Sequence, residues 1–203
     1  MCIRDSSRGA WFRATILFIL ALIGTVGMWS VVVFIPDIEK EFGLDRGTSS
    51  LLYAFTMIGF GFGTVVIGKV YDKFGIKKPI LLATFVLITS YYFYSIFPFY
   101  WQFLILQFFM GFAASAFFGP AMADISNFFN KQRGFALSIV ASANYVAGAT
   151  WPLLIGYFLT FIDWRAAHFW ISICLFIMIP LILLLKNASV DESKSHDMKQ
   201  RYK

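Results

Sequence analysis

A helix needs about 20 mainly apolar residues to cross the hydrocarbon core of a bilayer, and this sequence meets that demand six times. The stretches are residues 14–36, 49–70, 79–97, 101–123, 134–162 and 166–185. A soluble domain carries roughly a quarter of its residues as charges, whereas 14% are charged here and 59% are hydrophobic. Such a chain has too much apolar surface for one water-soluble core, so it must face lipid. The expectation is an all-α membrane protein with six transmembrane helices. The first stretch is too long for the apolar region of a signal peptide, and no small-residue cleavage site follows it.

The charges between the stretches carry orientation. Residues 37–47 are mainly acidic, 97–100 are uncharged and 163–165 are short. The opposite side holds 14 of the 17 Lys and Arg residues, among them Lys69, Lys73, Lys77 and Lys78. The positive-inside rule puts that side, with both termini, in the cytoplasm. The formal charge of +6 is then a topology signal, and no nucleic-acid partner is needed to explain it. Tyr91, Tyr92, Tyr94, Phe97, Phe99, Tyr100 and Trp101 crowd one end of the third and fourth stretches. An interfacial aromatic belt accounts for them better than a ligand-stacking platform does. Cys2 and Cys174 show neither a disulfide framework nor metal spacing.

Three segments are expected: residues 1–13, non-native or flexible; 14–185, the helical bundle; and 186–203, a polar tail or the start of a linker. The opening Met-Cys-Ile-Arg-Asp-Ser matches what a translated sequencing adapter would encode, so the chain is expected to be a fragment.

Residues 68–79 read Gly-Lys-Val-Tyr-Asp-Lys-Phe-Gly-Ile-Lys-Lys-Pro. This resembles the signature loop of the major facilitator superfamily, Gly-x-x-x-Asp-(Arg/Lys)-x-Gly followed by basic residues. Gly68 would let two helices approach closely, and Asp72 would sit near a helix N-terminus. Gly75 would supply a tight turn, with Lys73, Lys77 and Lys78 on the inner face. Ile76 stands where the family often has a basic residue. Residues 127–137 and 163–167 are similar to the loops before the fifth and sixth helices of such carriers. The combination looks closest to the monocarboxylate-porter and oxalate–formate-exchanger branch.

The resemblance implies one half of a carrier, built as a 3+3 inverted repeat and working by alternating access with a second six-helix half. It also implies that helices one, two, four and five line the pathway while three and six face lipid. The implied partners are the bilayer and a small-molecule substrate such as an organic anion; no cofactor or metal is implied. Candidate pathway residues are Met28, Trp29, Ser30, Tyr53, Gln107, Asn144, Tyr145 and Trp151. Asn144 and Gln107 read as either substrate contacts or cross-helix hydrogen bonds, since buried amides in lipid need partners. Gln107 replaces an Arg found in many proton-coupled relatives. Glycines 59, 61, 63, 111 and 119 with Ser115 make small helix faces, for sliding or for static packing. Asp124 is expected to pair with Lys73 or Lys77 as an inner gate. No cation lies mid-membrane, so an anion would need its counter-charge from the other half, or from backbone and hydroxyl donors.

An intramembrane enzyme is excluded: no span holds a Gly-x-Ser nucleophile, and His168 and His196 form no metal motif. The alternative is a stand-alone six-span homodimer, receptor or scaffold.

Overall fold

The structure, a computed structural model, describes residues 8–129 and 132–185. The readings of the opening residues and of the tail 186–203 lie outside the described residues. All described secondary structure is helical, in six candidate membrane spans. The first span joins α1 (Arg8–Gly24) to α2 (Val26–Phe42). The second is α3 (Arg46–Phe74) and the third α4 (Lys77–Ile96). The fourth joins α5 (Tyr100–Ala116) to α6 (Gly119–Phe128), and the fifth is α7 (Arg133–Phe158). The sixth runs from α8 (Trp164–Cys174) through a 3-10 turn (Leu175–Ile177) to α9 (Met178–Leu184). The first helix thus begins at Arg8, upstream of the expected start at residue 14.

Local chemistry explains the interruptions. Pro120 has no N–H, and its ring clashes with the carbonyl four residues earlier. That carbonyl belongs to Ala116, the last residue of α5. Pro180 has the same relation to Phe176, inside the 3-10 turn of the sixth span. The first span breaks without proline, at Thr25, whose hydroxyl donates 2.8 Å to the Ala21 carbonyl. There the Phe117 ring lies against Gly24, so close that a Cβ on Gly24 would collide with it. The breaks of the first and fourth spans therefore touch.

Helix pairing follows a symmetry that the sequence hides. The second span packs on the fourth, the fifth on the first, and the third on the sixth. Exchanging spans one, two and three for four, five and six reproduces this set. Each repeat has an odd number of spans, so the second enters the membrane from the opposite side. The fold is thus six spans in two three-helix repeats of inverted topology, as the resemblance to the major facilitator superfamily implies.

The tightest seam joins α3 to α5. A Cβ on Gly111 would collide with the Thr56 carbonyl oxygen, and one on Gly59 with the Phe108 carbonyl oxygen. On Gly63 it would lie 2.7 Å from the Phe112 carbonyl oxygen. Gly61, Gly68 and Gly119 meet nothing within 4 Å, so the small faces are narrower than the sequence suggests, and Gly68 is not a close-approach point within this bundle. Tyr91 and Tyr94 depart from the aromatic belt. Both are fully buried; Tyr91 shares a 2.6 Å hydrogen bond with Ser30, and Tyr94 stacks on His168 at 4.4 Å. Tyr92, Phe99 and Trp101 remain exposed, as belt residues should be.

Gly111→Ala should destabilise the bundle by about 1–3 kcal/mol, because backbone must move to admit the methyl group. Gly61→Ala, which meets open space, should be neutral or slightly stabilising. Thermal unfolding of both variants in nanodiscs measures the contrast; equal midpoints would rule out the glycine seam.

Candidate functional site

One end of the bundle is basic and holds a buried ion pair. Arg13 on α1 donates from Nε to Asp124 Oδ2 at 2.5 Å and from Nη2 to Oδ1 at 2.8 Å. The two side chains are only 8% and 5% exposed. The guanidinium also lies 4.4 Å from the centroid of the Phe128 ring. A two-pronged contact of this kind matches the planar Arg fork to both carboxylate oxygens. Beside it, Asn127 Nδ2 donates 3.3 Å to the Tyr71 hydroxyl, tying the start of the signature loop to α6. Asp124 thus pairs with Arg13, not with Lys73 or Lys77. Lys73 is exposed, and its ammonium lies 5.3 Å from the Phe74 ring centroid. Lys77 points to the Leu183 carbonyl at 3.4 Å, and Lys78 lies 4.3 Å from the Phe74 ring centroid.

Asp72 occupies the last turn of α3, exposed. A carboxylate there opposes the helix dipole. Gly75 does make the turn: it caps α3 with φ +72°, a conformation that favours glycine.

A second group of polar side chains joins the first and fifth spans. The Trp29 indole donates 3.1 Å to Asn144 Oδ1, and the Trp151 indole donates 2.8 Å to the Leu22 carbonyl. Leu22 lies in the last turn of α1, where carbonyls have no partner within the helix. Gly148 leaves room for the Trp29 ring, since a Cβ there would lie 3.0 Å from it. Tyr145 is 72% exposed, and Tyr53 is half-buried on α3. The second and fifth spans are the least buried of the six.

Three expected pathway residues lie elsewhere. Met28 is buried, and Ser30 is consumed by Tyr91. Gln107 is buried as a cross-helix strut: it accepts from Thr56 Oγ1 at 2.9 Å and donates to the Tyr94 hydroxyl at 3.3 Å. Of its two readings, the structure selects the hydrogen bond. Trp29, Tyr53, Asn144, Tyr145 and Trp151 keep some exposure.

The far end is clasped by surface polar groups. Arg165 reaches Glu41 at 2.6 Å and the Phe97 carbonyl at 2.8 Å, while the Trp164 indole donates to Glu41 at 2.8 Å. Asp45 caps α3, accepting from the Thr48 hydroxyl at 2.6 Å and from the Gly47 and Thr48 amides. Those bonds, the Thr48 hydroxyl first, hold its carboxyl below the usual carboxylate range.

Sequence reasoning missed Arg13, which fell in the segment read as non-native or flexible. The available signal was a lone cation preceding an apolar run that contains no other charge before Asp37.

A family model described as Major Facilitator Superfamily matches residues 17–201. The MFS-type transporter pynF of Aspergillus niger is 28% identical over 146 residues, which cover 70% of this chain and 33% of that protein. The agnestins efflux protein AgnL12 of Paecilomyces divaricatus is 26% identical over 156 residues, covering 74% and 35%. The uncharacterized MFS-type transporter YdgK of Bacillus subtilis is 25% identical over 180 residues, covering 85% and 44%. The chain thus spans a third to under a half of the length of these curated relatives.

Removing one member of the buried ion pair strands the other charge, at a cost of about 3–5 kcal/mol. Arg13→Met and Asp124→Leu should each lower stability by that order, whereas the variant carrying both changes should lose much less. Unfolding curves of the three variants measure the coupling, and simple additivity would contradict a direct pair.

Proposed function

The chain belongs to the major facilitator superfamily, and on that premise we propose that it forms one six-helix half of a secondary active transporter for small organic anions. Substrates of the monocarboxylate, oxalate and formate class fit this reading. The single observation that carries it is the chemistry of the partly exposed polar side chains on the first, second and fifth spans. The Tyr53 and Tyr145 hydroxyls and the Asn144 NH2 group keep hydrogen-bonding capacity there, and the described acidic residues stand towards the ends of the spans or in loops. Amide and phenol donors without mid-span carboxylates suit an anion, and leave a cation only ring faces and hydroxyl oxygens to pair with.

In this reading a second six-helix bundle closes the pathway, and the two rock about a site near the midplane. Both termini and the signature loop lie on the cytoplasmic side, as the basic bias favours. The Arg13–Asp124 pair then holds the first and fourth spans together at the cytoplasmic end and acts as an inner gate element. The signature loop, Gly68 through Lys78, is an exposed surface for the second bundle. Open space at Gly68 supports that role, since a partner helix can approach there. An efflux protein among the relatives favours outward movement.

The reading is tested by uptake of radiolabelled pyruvate, oxalate and choline into proteoliposomes holding this chain together with a second bundle. Saturable uptake of a carboxylate, stimulated by the same carboxylate on the far side, is the expected result. Choline uptake without carboxylate uptake would overturn it. Asp124→Asn in the same vesicles should shift the balance of inward- and outward-facing states, read by crosslinking of the two bundles. An unchanged balance would remove the gate role.

A further inference from the structure

Asparagine and glutamine amides present either an acceptor or two donors, and which end faces outward is ordinarily ambiguous. At Asn144 the ambiguity is resolved by its neighbour. An indole N–H can only donate, so the 3.1 Å contact from Trp29 Nε1 must meet the carbonyl oxygen of the Asn144 amide. Among the described residues this is the one hydrogen bond Asn144 makes, and its NH2 group is not a buried orphan. The carbonyl end is therefore occupied and the donor end is open.

Trp29 is itself held. Its ring rests against Gly148 on α7, one turn beyond Asn144, where a Cβ would lie 3.0 Å from it. Turning the amide over would set an N–H against the indole N–H, leaving a repulsive pair in a low-dielectric setting. Two further hydroxyls belong to the same sparsely buried spans, Tyr145 on the fifth and Tyr53 on the second. Tyr145 is exposed, and Tyr53 is half-buried. Both hydroxyls can donate or accept, so they follow the ligand, whereas the Asn144 amide dictates to it.

We infer that Asn144, locked by the Trp29 indole, is a fixed hydrogen-bond donor that selects substrates carrying an acceptor, a carboxylate above all. This rests on the anion-carrier reading above and names the residue that imposes the preference. A donor bonded to a charged acceptor contributes more than one bonded to a neutral acceptor, so an ionised carboxylate gains most. A cation would face the positive N–H end of the amide dipole.

The test is ligand-induced thermal stabilisation of this chain together with a second bundle in nanodiscs, with pyruvate, oxalate and choline as probes at matched ionic strength. Wild type should gain stability with at least one carboxylate and none with choline. Asn144→Asp keeps the shape but replaces the donor end with an acceptor, and should lose the carboxylate shift. Trp29→Phe removes the lock while leaving the amide, so the carboxylate shift should survive but require about twofold more ligand, since the freed amide presents its donor end about half the time. That variant keeps the inference testable if Asn144→Asp does not fold. Equal carboxylate shifts in wild type and in whichever of the two variants fold would overturn the role of Asn144 and leave the anion reading standing. Absence of any carboxylate shift in wild type, with or without a choline shift, would overturn both.

Discussion

Lipid tails give apolar helices no hydrophobic reason to associate, since a leucine is as well solvated by lipid as by another helix. This bundle is therefore held by contacts that lipid cannot replace. One kind is steric: Gly59, Gly63 and Gly111 bring α3 and α5 to backbone contact, where a side chain on either helix would block the approach. The other kind is polar. Arg13 and Asp124 join the first and fourth spans, Gln107 joins the fourth to the second and third, and Trp29 and Trp151 join the first and fifth. Each polar group satisfied inside the bundle is one that would cost several kcal/mol if left to the hydrocarbon.

That constraint also sorts structure from function. Most polar side chains in the spans are consumed by the fold. Thr56 bonds Gln107 and its own helix carbonyl, Ser30 bonds Tyr91, and His168 holds the Trp164 carbonyl at 2.8 Å while stacking on Tyr94. The Tyr53 and Tyr145 hydroxyls and the NH2 end of Asn144 keep hydrogen-bonding capacity, and they fall on the sparsely buried second and fifth spans. The same division follows the inverted repeat: the third and sixth spans pack on each other, while the second and fifth hold the exposed flanks.

Much of this was legible in the chain itself. Hydropathy gave six spans with ends displaced by a few residues, and the pattern from Gly68 to Lys78 gave the superfamily. The helix faces were not legible, because a face is defined by which neighbour covers it, and the neighbours are far apart in sequence. Arg13 and Asp124 are 111 positions apart. Placing the start of the bundle at residue 14 left out the cation that Asp124 needs, so a lysine of the signature loop took its place. Tyr91 and Tyr94 have the composition of an interfacial belt, yet only their exposed neighbour Tyr92 lies on the outward face of α4. Gln107 is polar and near mid-span, which fits a ligand contact and a strut equally until Thr56 and Tyr94 are seen beside it.

The central claim is that the face bearing Tyr145 lines a water-filled pathway while the exposed face of α4, with Phe85, meets lipid. Both residues are open in this bundle, at 72% and 65% exposure, so burial alone does not separate them. The direct measurement is reaction of a membrane-impermeant maleimide with Tyr145→Cys and Phe85→Cys, in the two-bundle protein with Cys2 and Cys174 replaced by serine. The account predicts that Tyr145→Cys is labelled and is protected by a carboxylate substrate, while Phe85→Cys stays unreactive. Labelling of neither position, or of both without protection, would contradict a pathway on that face.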